Sequence, residues 1–264
     1  MDSALSIYGL NLGAIIGLMT GVWLLSLVKK DASIVDIIWG LGFVLIAWLT
    51  FVVADGYVGR KLLITLLTTI WGLRLAAYIL YRGWGKEEDR RYQAWRAQYG
   101  ERFWWVSFFT VFGLQALLLW VISWVLQAGQ LSPEPARLGW LDGLGAIIWA
   151  GGFFFEAVAD WQLASFKADP ANKGKVMNRG LWGYSRHPNY FGESLVWWGL
   201  FLITLATPGS WWVIISPLVI TILLLKVSGV TLLEKTMLDS RPEYQDYIDS
   251  TSSFVPWFPK KEGP

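Results

Sequence analysis

The residues best suited to chemistry are concentrated between Lys167 and Glu193. Before Glu193 this segment holds one acid, Asp169, and five cations, which are Lys167, Lys173, Lys175, Arg179 and Arg186. Clustered Lys and Arg side chains bind phosphate groups by charge-assisted hydrogen bonds, and its glycines allow a ligand to approach the backbone. Membrane topology alone would explain the sign of these charges but not the polar run from Tyr184 to Tyr190. The segment predicts a site for a polyanion such as a diphosphate or a ribose 2′-phosphate.

A second group of ionisable residues lies inside or at the rim of apolar segments. A charge in a membrane costs about 2.5–3.5 kcal/mol even on a lenient scale, so each member needs a partner or a neutral form. Helical spacing places Glu156 and Asp160 on one face, and Trp71, Arg74 and Tyr78 on another. A structural pair, such as Asp36 with Arg74, is one interpretation, and a polar cavity opening to the cytosol is the other. The group consists of Asp36, Arg74, Glu156, Asp160 and Glu193.

The elements that position these residues are membrane-spanning helices. Hydrophobic residues make up 55% of the 264 residues and charged residues only 16%, which is too few charges for an ordinary soluble domain. Stretches of about 18 or more mostly apolar residues predict an all-α protein with seven transmembrane helices. Their predicted bounds are 8–28, 34–54, 61–82, 104–127, 139–165, 191–207 and 211–233.

The charges between these spans predict the orientation. Alternate loops and the C-terminal tail hold 17 Lys and Arg residues, whereas the opposite loops hold only three. By the positive-inside rule the N-terminus is outside and the C-terminus is cytosolic, which fits an odd number of crossings. We therefore expect a multi-pass integral membrane protein.

The cytosolic connections are predicted to be ordered parts of one membrane domain, 1–264. They are the loops 83–103 and 166–190 and the tail 234–264. Within the first loop, Tyr92, Trp95 and Tyr99 form one stripe of a helix lying on the membrane surface. In the tail, Ser240 and Glu243 form a capping box with Pro242 in the first turn, which predicts a short helix through Tyr244 and Tyr247.

Composition excludes several classes of site. The chain has no Cys and one His, His187, which excludes disulfides, thiol nucleophiles and multi-histidine metal centres, and we expect no metal. A net charge of +2, sorted by membrane side, gives no reason to expect a nucleic-acid partner. Neither a G-x-G-x-x-G motif nor a P-loop motif occurs, so a dinucleotide site would differ from the soluble folds.

The stretch GLWGYSRHPNYFGE, Gly180 to Glu193, resembles the signature of steroid 5α-reductase-like membrane proteins. The segments SIVDIIWGLGF at 33–43, WGLRLAAYILYRGWGKEEDRRY at 71–92 and RPEYQDYIDSTSSFVPWFP in the tail are similar to the bacterial DUF1295 branch of that superfamily. The resemblance covers most of the chain. It implies a seven-helix fold that holds NADPH in a cytosol-facing cavity and passes hydride to the alkene of a 3-oxo-Δ4 lipid.

Site roles are also implied by this resemblance. Asp36 would lie beside the substrate carbonyl as a neutral acid that donates a hydrogen bond to the developing enolate oxygen, with Arg74 and Tyr78 as the other catalytic residues. Trp39, Trp71 and Glu156 would contact the lipophilic substrate, which enters from the bilayer. We expect a monomer among membrane lipids. The cofactor would be held by Asp160, Lys167, Lys175, Arg179, Tyr184, Arg186, His187, Asn189, Glu193, Tyr244 and Tyr247.

One departure from the family pattern concerns the carbonyl site. Trp71 stands where the steroid reductases have a Tyr, and an indole N–H is a poor acid, so Tyr78 is a candidate substitute. This departure bears on steroid specificity more than on NADPH binding.

Two other functions stay open. The R-H-P-x-Y-x-G-E pattern from Arg186 to Glu193 also resembles membrane methyltransferases of the isoprenylcysteine and phospholipid type, which bind S-adenosylmethionine. That cofactor has no phosphate, so the clustered cations favour NADPH. A receptor or transporter is the third interpretation, and the short, charge-poor outer loops argue against it.

Overall fold

The computed structural model describes residues 2–227, 229–240 and 243–260, and all regular structure in these ranges is helical. The helical fold class is therefore confirmed. The α-helices are α1 Asp2–Lys29, α2 Ile34–Val53, α3 Val58–Gly83, α4 Arg90–Tyr99, α5 Phe103–Ser107, α6 Leu114–Ile122, α7 Trp124–Ala128, α8 Trp140–Ala168, α9 Pro188–Leu205, α10 Ile215–Ile222, α11 Val230–Ser240 and α12 Tyr244–Ser250.

Within the described residues, six helical stretches are long and apolar enough to cross a membrane, which makes the chain an integral membrane protein by length and composition. The predicted sixth span forms an 18-residue helix, α9, but is not one of these six. The first turns of α9 carry Asn189 and Glu193, which lower its hydropathy. The six stretches are Ala4–Lys29, Ile34–Val53, Val58–Gly83, Arg90–Ala128, Trp140–Ala168 and Ser210–Val227.

Two membrane stretches differ from the predicted outlines. The predicted surface helix is α4, and a 3₁₀ turn at Gly100–Arg102 joins it to α5, so that α4 forms the first part of the fourth stretch. The seventh segment was predicted too long, because its helix widens into a π-turn at Leu223–Val227 and a new helix, α11, begins at Val230. Gly229 lies against the carbonyl oxygen of Leu224, where a Cβ would be only 1.9 Å away.

Contacts divide the chain into two compact units. The first unit comprises Met1–Asp142 and Ile203–Val213, and the second comprises Gly143–Leu202 and Ile214–Pro264. In the first unit, α2 and α3 approach closely at Gly40 and Gly72, since a Cβ on either residue would lie 2.6 Å from the carbonyl oxygen of the other. Small residues of this kind let membrane helices pack with their backbones in contact. The approach fixes α2, which carries Asp36, against α3.

In the second unit, α8 and α9 pack antiparallel through glycines. A Cβ at Gly199 would lie 2.6 Å from the Gly145 carbonyl oxygen, and one at Gly192 would lie 2.5 Å from that of Gly152. The two pairs are seven residues apart on each helix, so the contact runs along about two turns. Gly192 also lies against the backbone of Glu156, where a Cβ would be 2.4 Å from the nitrogen. This packing aligns the polar C-terminal part of α8 with the N-terminus of α9.

Candidate functional site

Asp36 is the centre of the candidate site in the first unit. It lies in the first turn of α2 and is 21% exposed. The Tyr92 hydroxyl donates to its Oδ1 at 2.8 Å, and the Arg91 guanidinium donates to its Oδ2 at 2.8 Å. Asp36 therefore accepts two hydrogen bonds in this structure, and its role as a neutral donor to the substrate stays a prediction.

The segment before α4 is held against the start of α2 by a second set of contacts. Glu88 Oε1 accepts from the Ala32 backbone N–H at 2.7 Å, and the Asp89 N–H donates to the Ser33 hydroxyl at 2.7 Å. Burial would raise the pKa of Glu88, but hydrogen bonds from Arg96 and from the Ala32 N–H outweigh it and hold that pKa below its usual value. These contacts place α4, with its donors, over the end of α2.

Tyr92 is the member of the predicted aromatic stripe that enters the site. It is only 4% exposed, whereas Trp95 and Tyr99 are each more than a third exposed. Gln115 of α6 donates to the Tyr92 hydroxyl at 3.2 Å, so this oxygen joins an amide to the carboxylate of Asp36. Sequence reasoning missed Arg91 and Tyr92 as site residues because their charge and spacing also fit a surface helix.

Aromatic side chains extend from the Asp36 end of α2 into the first unit. The Trp39 and Phe43 rings lie 5.4 Å apart, and the Phe43 and Trp71 rings lie 5.8 Å apart. Trp39 is half-buried, whereas Trp71 has no exposed surface. Trp71 is therefore a packed core residue in this structure.

Arg74 and Tyr78, the other two residues expected to be catalytic, are neighbours on α3. The Arg74 guanidinium lies 5.3 Å from the centre of the Tyr78 ring, and the Arg82 guanidinium lies 5.9 Å from it. Both distances fit cation–π contacts. The Tyr78 ring is thus placed between two cations.

A buried ion pair that the sequence did not predict joins the first turn of α3 to the first turn of α8. Arg60 Nε is 2.8 Å from Asp142 Oδ1, and each side chain is 1% exposed. Neither residue belongs to the group of ionisable membrane residues that the sequence predicted. Breaking such a pair leaves an uncompensated buried charge, so its role here is structural.

In the second unit, two of the expected cofactor residues meet. The Asn189 side-chain amide donates to Asp160 Oδ1 at 3.0 Å, and Asp160 is 4% exposed. The Asn189 Oδ1 atom is buried and has no hydrogen-bond partner among the described residues. Glu156, one turn before Asp160 on α8, is 2% exposed, and Glu193, one turn after Asn189 on α9, is half-buried. Asn189 Oδ1 is therefore an acceptor available to a donor group of a ligand.

Arg186 and His187 converge on Glu234 of α11, a residue that the sequence did not single out. Glu234 Oε1 is 2.7 Å from Arg186 Nε and 3.1 Å from His187 Nε2, and the His187 ring stacks on Tyr190. Burial would raise the pKa of Glu234, but the hydrogen bonds from His187 and Arg186 outweigh it and lower that pKa to about 2. Glu234 is therefore a stable anion that neutralises part of the predicted cationic cluster.

The tail is bound to the motif loop by backbone contacts, and its predicted helix is present as α12. Arg186 Nη1 donates to the carbonyl oxygens of Ile248 and Thr251, and its backbone N–H donates to the Ser252 carbonyl oxygen at 2.8 Å. Arg186, 7% exposed, thus holds the tail in place. The predicted capping box lies outside what can be described, because Pro242 is not a described residue and nothing is described of the Ser240 side chain.

Tyr244 and Tyr247 are both largely buried, with their rings 5.5 Å apart, and Tyr247 also lines an open pocket. They are 4% and 6% exposed, and the Tyr247 hydroxyl donates to the Trp182 carbonyl oxygen. Burial raises the pKa of Tyr244 to about 12 and also raises that of Tyr247. Both tyrosines are therefore neutral near pH 7.

The remaining expected cofactor residues lie at the surface. Lys167, Lys175, Arg179 and Tyr184 are exposed. Lys175 lines an open pocket of about 500 Å³, whose opposite wall carries Glu243 and Asp246. Within the described ranges, no group of three or more His, Cys, Asp or Glu side chains is arranged to hold a metal ion. The pocket is therefore a mixed polar surface with one cation and two acids.

Comparison with known proteins gives the family but no activity. The chain is 26% identical to an uncharacterized protein of Schizosaccharomyces pombe, over 95% of this chain and 79% of that one. No solved structure matches it significantly. The family model described as "Protein of unknown function (DUF1295)" matches residues 22–251. The chain is therefore a member of the DUF1295 family.

Proposed function

We propose that this protein is an NADPH-dependent reductase of the C=C bond of an α,β-unsaturated ketone lipid, as in the steroid 5α-reductase-like proteins that its motifs resemble. The observation that carries this proposal is the contact of Asp36 with Tyr92 and Arg91 at one end of a membrane-spanning helix. Reduction of an enone requires donors at the carbonyl oxygen, where negative charge develops. A membrane-embedded site with an acid, a phenol and a guanidinium supplies such donors to a lipid substrate.

The geometry gives each of these residues a role. NADPH would supply the hydride that adds to the β-carbon, and a proton adds to the α-carbon. In the free protein the single Tyr92 O–H donates to Asp36, so it turns to the carbonyl oxygen when the substrate binds, while Arg91 donates beside it and stays paired with Asp36. Once in place, these donors stabilise the oxyanion as it develops. Tyr92 thereby supplies the phenol that the sequence lacks at position 71.

The second unit offers groups that fit the cofactor. The unpaired Asn189 Oδ1 suits an amide or hydroxyl donor, and the exposed Lys167, Lys175 and Arg179 suit phosphate groups. Arg186 is less suited to a phosphate than expected, because Glu234 and the tail carbonyls already use its N–H groups. We therefore assign phosphate binding to the exposed cations and tail positioning to Arg186.

A seven-span topology with the N-terminus outside and the C-terminus in the cytosol completes the proposal. An 18-residue helix is about 27 Å long, close to the roughly 30 Å of bilayer hydrocarbon. The glycine contacts run along α9 beside α8, a membrane stretch by composition. This packing supports a further crossing by α9. The proposal also takes the protein to be a monomer of a bacterial inner membrane whose substrate enters from the bilayer.

The methyltransferase remains the second candidate, and the charges of the second unit favour it. Glu234 neutralises Arg186 and lies 3.1 Å from His187 Nε2, and the Lys175 pocket carries Glu243 and Asp246. Carboxylates suit the ribose hydroxyls and the cationic groups of S-adenosylmethionine better than they suit a 2′-phosphate.

Thermal unfolding in mild detergent separates the two candidates. A ligand that binds only the folded state adds about 2.7 kcal/mol of stability at 100 times its Kd. The proposal predicts a higher midpoint with NADPH than with NADH or S-adenosylmethionine. An Arg179→Gln variant should lose the preference for NADPH over NADH. Stabilisation by S-adenosylmethionine alone would replace the reductase with the methyltransferase.

A further inference from the structure

We infer that the end of the cytosolic tail inserts its aromatic side chains into the membrane interface and binds anionic lipid headgroups. The insertion patch consists of Val255, Trp257 and Phe258, which are 56%, 70% and 77% exposed. Large apolar side chains gathered at this exposure mark an interaction surface. This inference is independent of the proposed reductase activity.

The patch belongs to an ordered segment. The Trp257 backbone N–H donates to the Tyr184 carbonyl oxygen at 2.9 Å, and the Lys260 N–H donates to that of Ser250 at 2.9 Å. The Ser185 hydroxyl donates to the Phe254 carbonyl oxygen at 2.8 Å. The backbone is thus fixed to the motif loop, and the apolar side chains stay largely exposed, although the Phe258 ring lies 6.1 Å from that of Tyr184.

The position of the segment beside α8 indicates that the membrane covers the insertion patch. The Phe254 ring lies 5.8 Å from that of Phe191, which lies 5.4 Å from that of Phe155 on α8. Phe155 precedes the end of α8 at Ala168 by about 13 residues, or roughly 20 Å. The helix has 29 residues and is about 43 Å long, which exceeds the roughly 30 Å hydrocarbon thickness. With the exposed Trp140 at the opposite interface, the roughly 30 Å of hydrocarbon ends about 20 residues along α8, near Asp160 and about 8 Å beyond Phe155, so the Phe254 ring lies close to this boundary.

The side chains at this level have the chemistry of a lipid interface. Trp161 of α8, 67% exposed, marks the same boundary, where aromatic belts lie. Lys260 follows the patch and is exposed, so it is available to a phosphate headgroup. An apolar patch beside a cation, at bilayer depth, complements an anionic membrane surface.

The absence of Cys from the natural chain makes a direct test possible. A nitroxide label is attached to the single-Cys variants W257C and F258C. The labelled proteins are reconstituted in vesicles of phosphatidylcholine and phosphatidylglycerol. Collisions with oxygen, which enters lipid, are compared with collisions with a water-soluble nickel chelate. Ile147→Cys, about two turns into α8 and 72% exposed, is the lipid reference, and Gln245→Cys, on the exposed face of α12, is the aqueous reference.

We expect labels at 257 and 258 to have an oxygen preference between the two references and clearly above that of Gln245→Cys. A value equal to that of Gln245→Cys would overturn the inference. Exclusion of both reagents, or spin–spin broadening between copies, would also overturn it and would indicate a protein partner or a second copy. The headgroup part is tested by Lys260→Gln, which should reduce the gain in oxygen preference when phosphatidylglycerol is added to phosphatidylcholine.

Discussion

The hydroxyl of Tyr92 lies 2.8 Å from Oδ1 of Asp36, although 56 positions separate the two residues in the chain. Asp36 is in the first turn of a membrane helix, and Tyr92 is in α4, at the start of the fourth membrane stretch. Their contact converts a lone membrane carboxylate into an acceptor with a phenol and a guanidinium attached. This arrangement is the chemical basis of the proposed enone site.

Removal of the Tyr92 hydroxyl should impair turnover more than binding of the cofactor. In Tyr92→Phe, we expect turnover with an enone lipid to fall by about 10²- to 10³-fold, as for loss of one oxyanion donor. NADPH affinity should be unchanged. The matched control is Tyr99→Phe, on the exposed part of the same helix, which should keep full turnover. Equal turnover of Tyr92→Phe and wild type would remove Tyr92 from the site.

Asn189→Ala should weaken NADPH binding. The substitution removes an unpaired buried acceptor and also the donor to Asp160, so we expect a loss of about 1.5–3 kcal/mol in binding free energy. Isothermal titration of the purified protein measures it. Asn172→Ala, in the same loop but bonded to the Phe166 carbonyl oxygen, is the control. Unchanged affinity in Asn189→Ala would refute this part of the cofactor assignment.

Glu234 should make stability depend on acid pH. Its pKa is lowered from 4.5 to about 2 in the folded protein, so its contribution is present above about pH 4.5 and is lost as the pH falls toward 2. Glu234→Gln should lower the unfolding midpoint at neutral pH, and the difference from wild type should shrink below pH 4.5. Glu101→Gln, at an exposed position, should show no such trend. A difference that is constant across this range would contradict the assignment.

The glycine contact between α8 and α9 should not tolerate a methyl group. Gly192→Ala would place a Cβ 2.4 Å from the Glu156 backbone nitrogen, so we expect destabilisation of about 1–3 kcal/mol. Gly151→Ala is the control, because a Cβ there meets nothing within 4 Å. Thermal unfolding in detergent compares the two. A midpoint for Gly192→Ala at or above that of Gly151→Ala would show that the helices do not approach as described.

The membrane helices could be predicted because hydropathy is a local property. The predicted span 34–54 matches α2, Ile34–Val53, and the predicted span 139–165 matches α8, Trp140–Ala168. The break between α10 and α11 was missed, because it depends on a π-turn and on the contact of Gly229 with the Leu224 carbonyl oxygen. The sequence stays largely apolar across this break, so hydropathy does not indicate where the helix ends.

The candidate site was predicted in part, and the limit is the pairing between distant segments. The family resemblance identified Asp160 and Asn189, and their side chains do form a hydrogen bond. It did not identify Glu234, since one acid in a charged tail is not distinctive until the fold brings it to Arg186. Asp36 was predicted as a site residue because a charge in a membrane has a high free-energy cost. Its partners on α4 were not predicted, because α4 is positioned by contacts such as that of the Asp89 N–H with Ser33.

The most direct test of the proposed function is NADPH oxidation by the reconstituted protein in the presence of an enone lipid. The account predicts oxidation that requires the lipid, yields the saturated ketone and is strongly reduced in Asp36→Asn, with NADPH affinity unchanged in that variant. Methyl transfer from S-adenosylmethionine, with no oxidation of NADPH by any enone lipid, would contradict it. Lipid-dependent oxidation that is equal in wild type and Asp36→Asn would contradict the role of the Asp36 site.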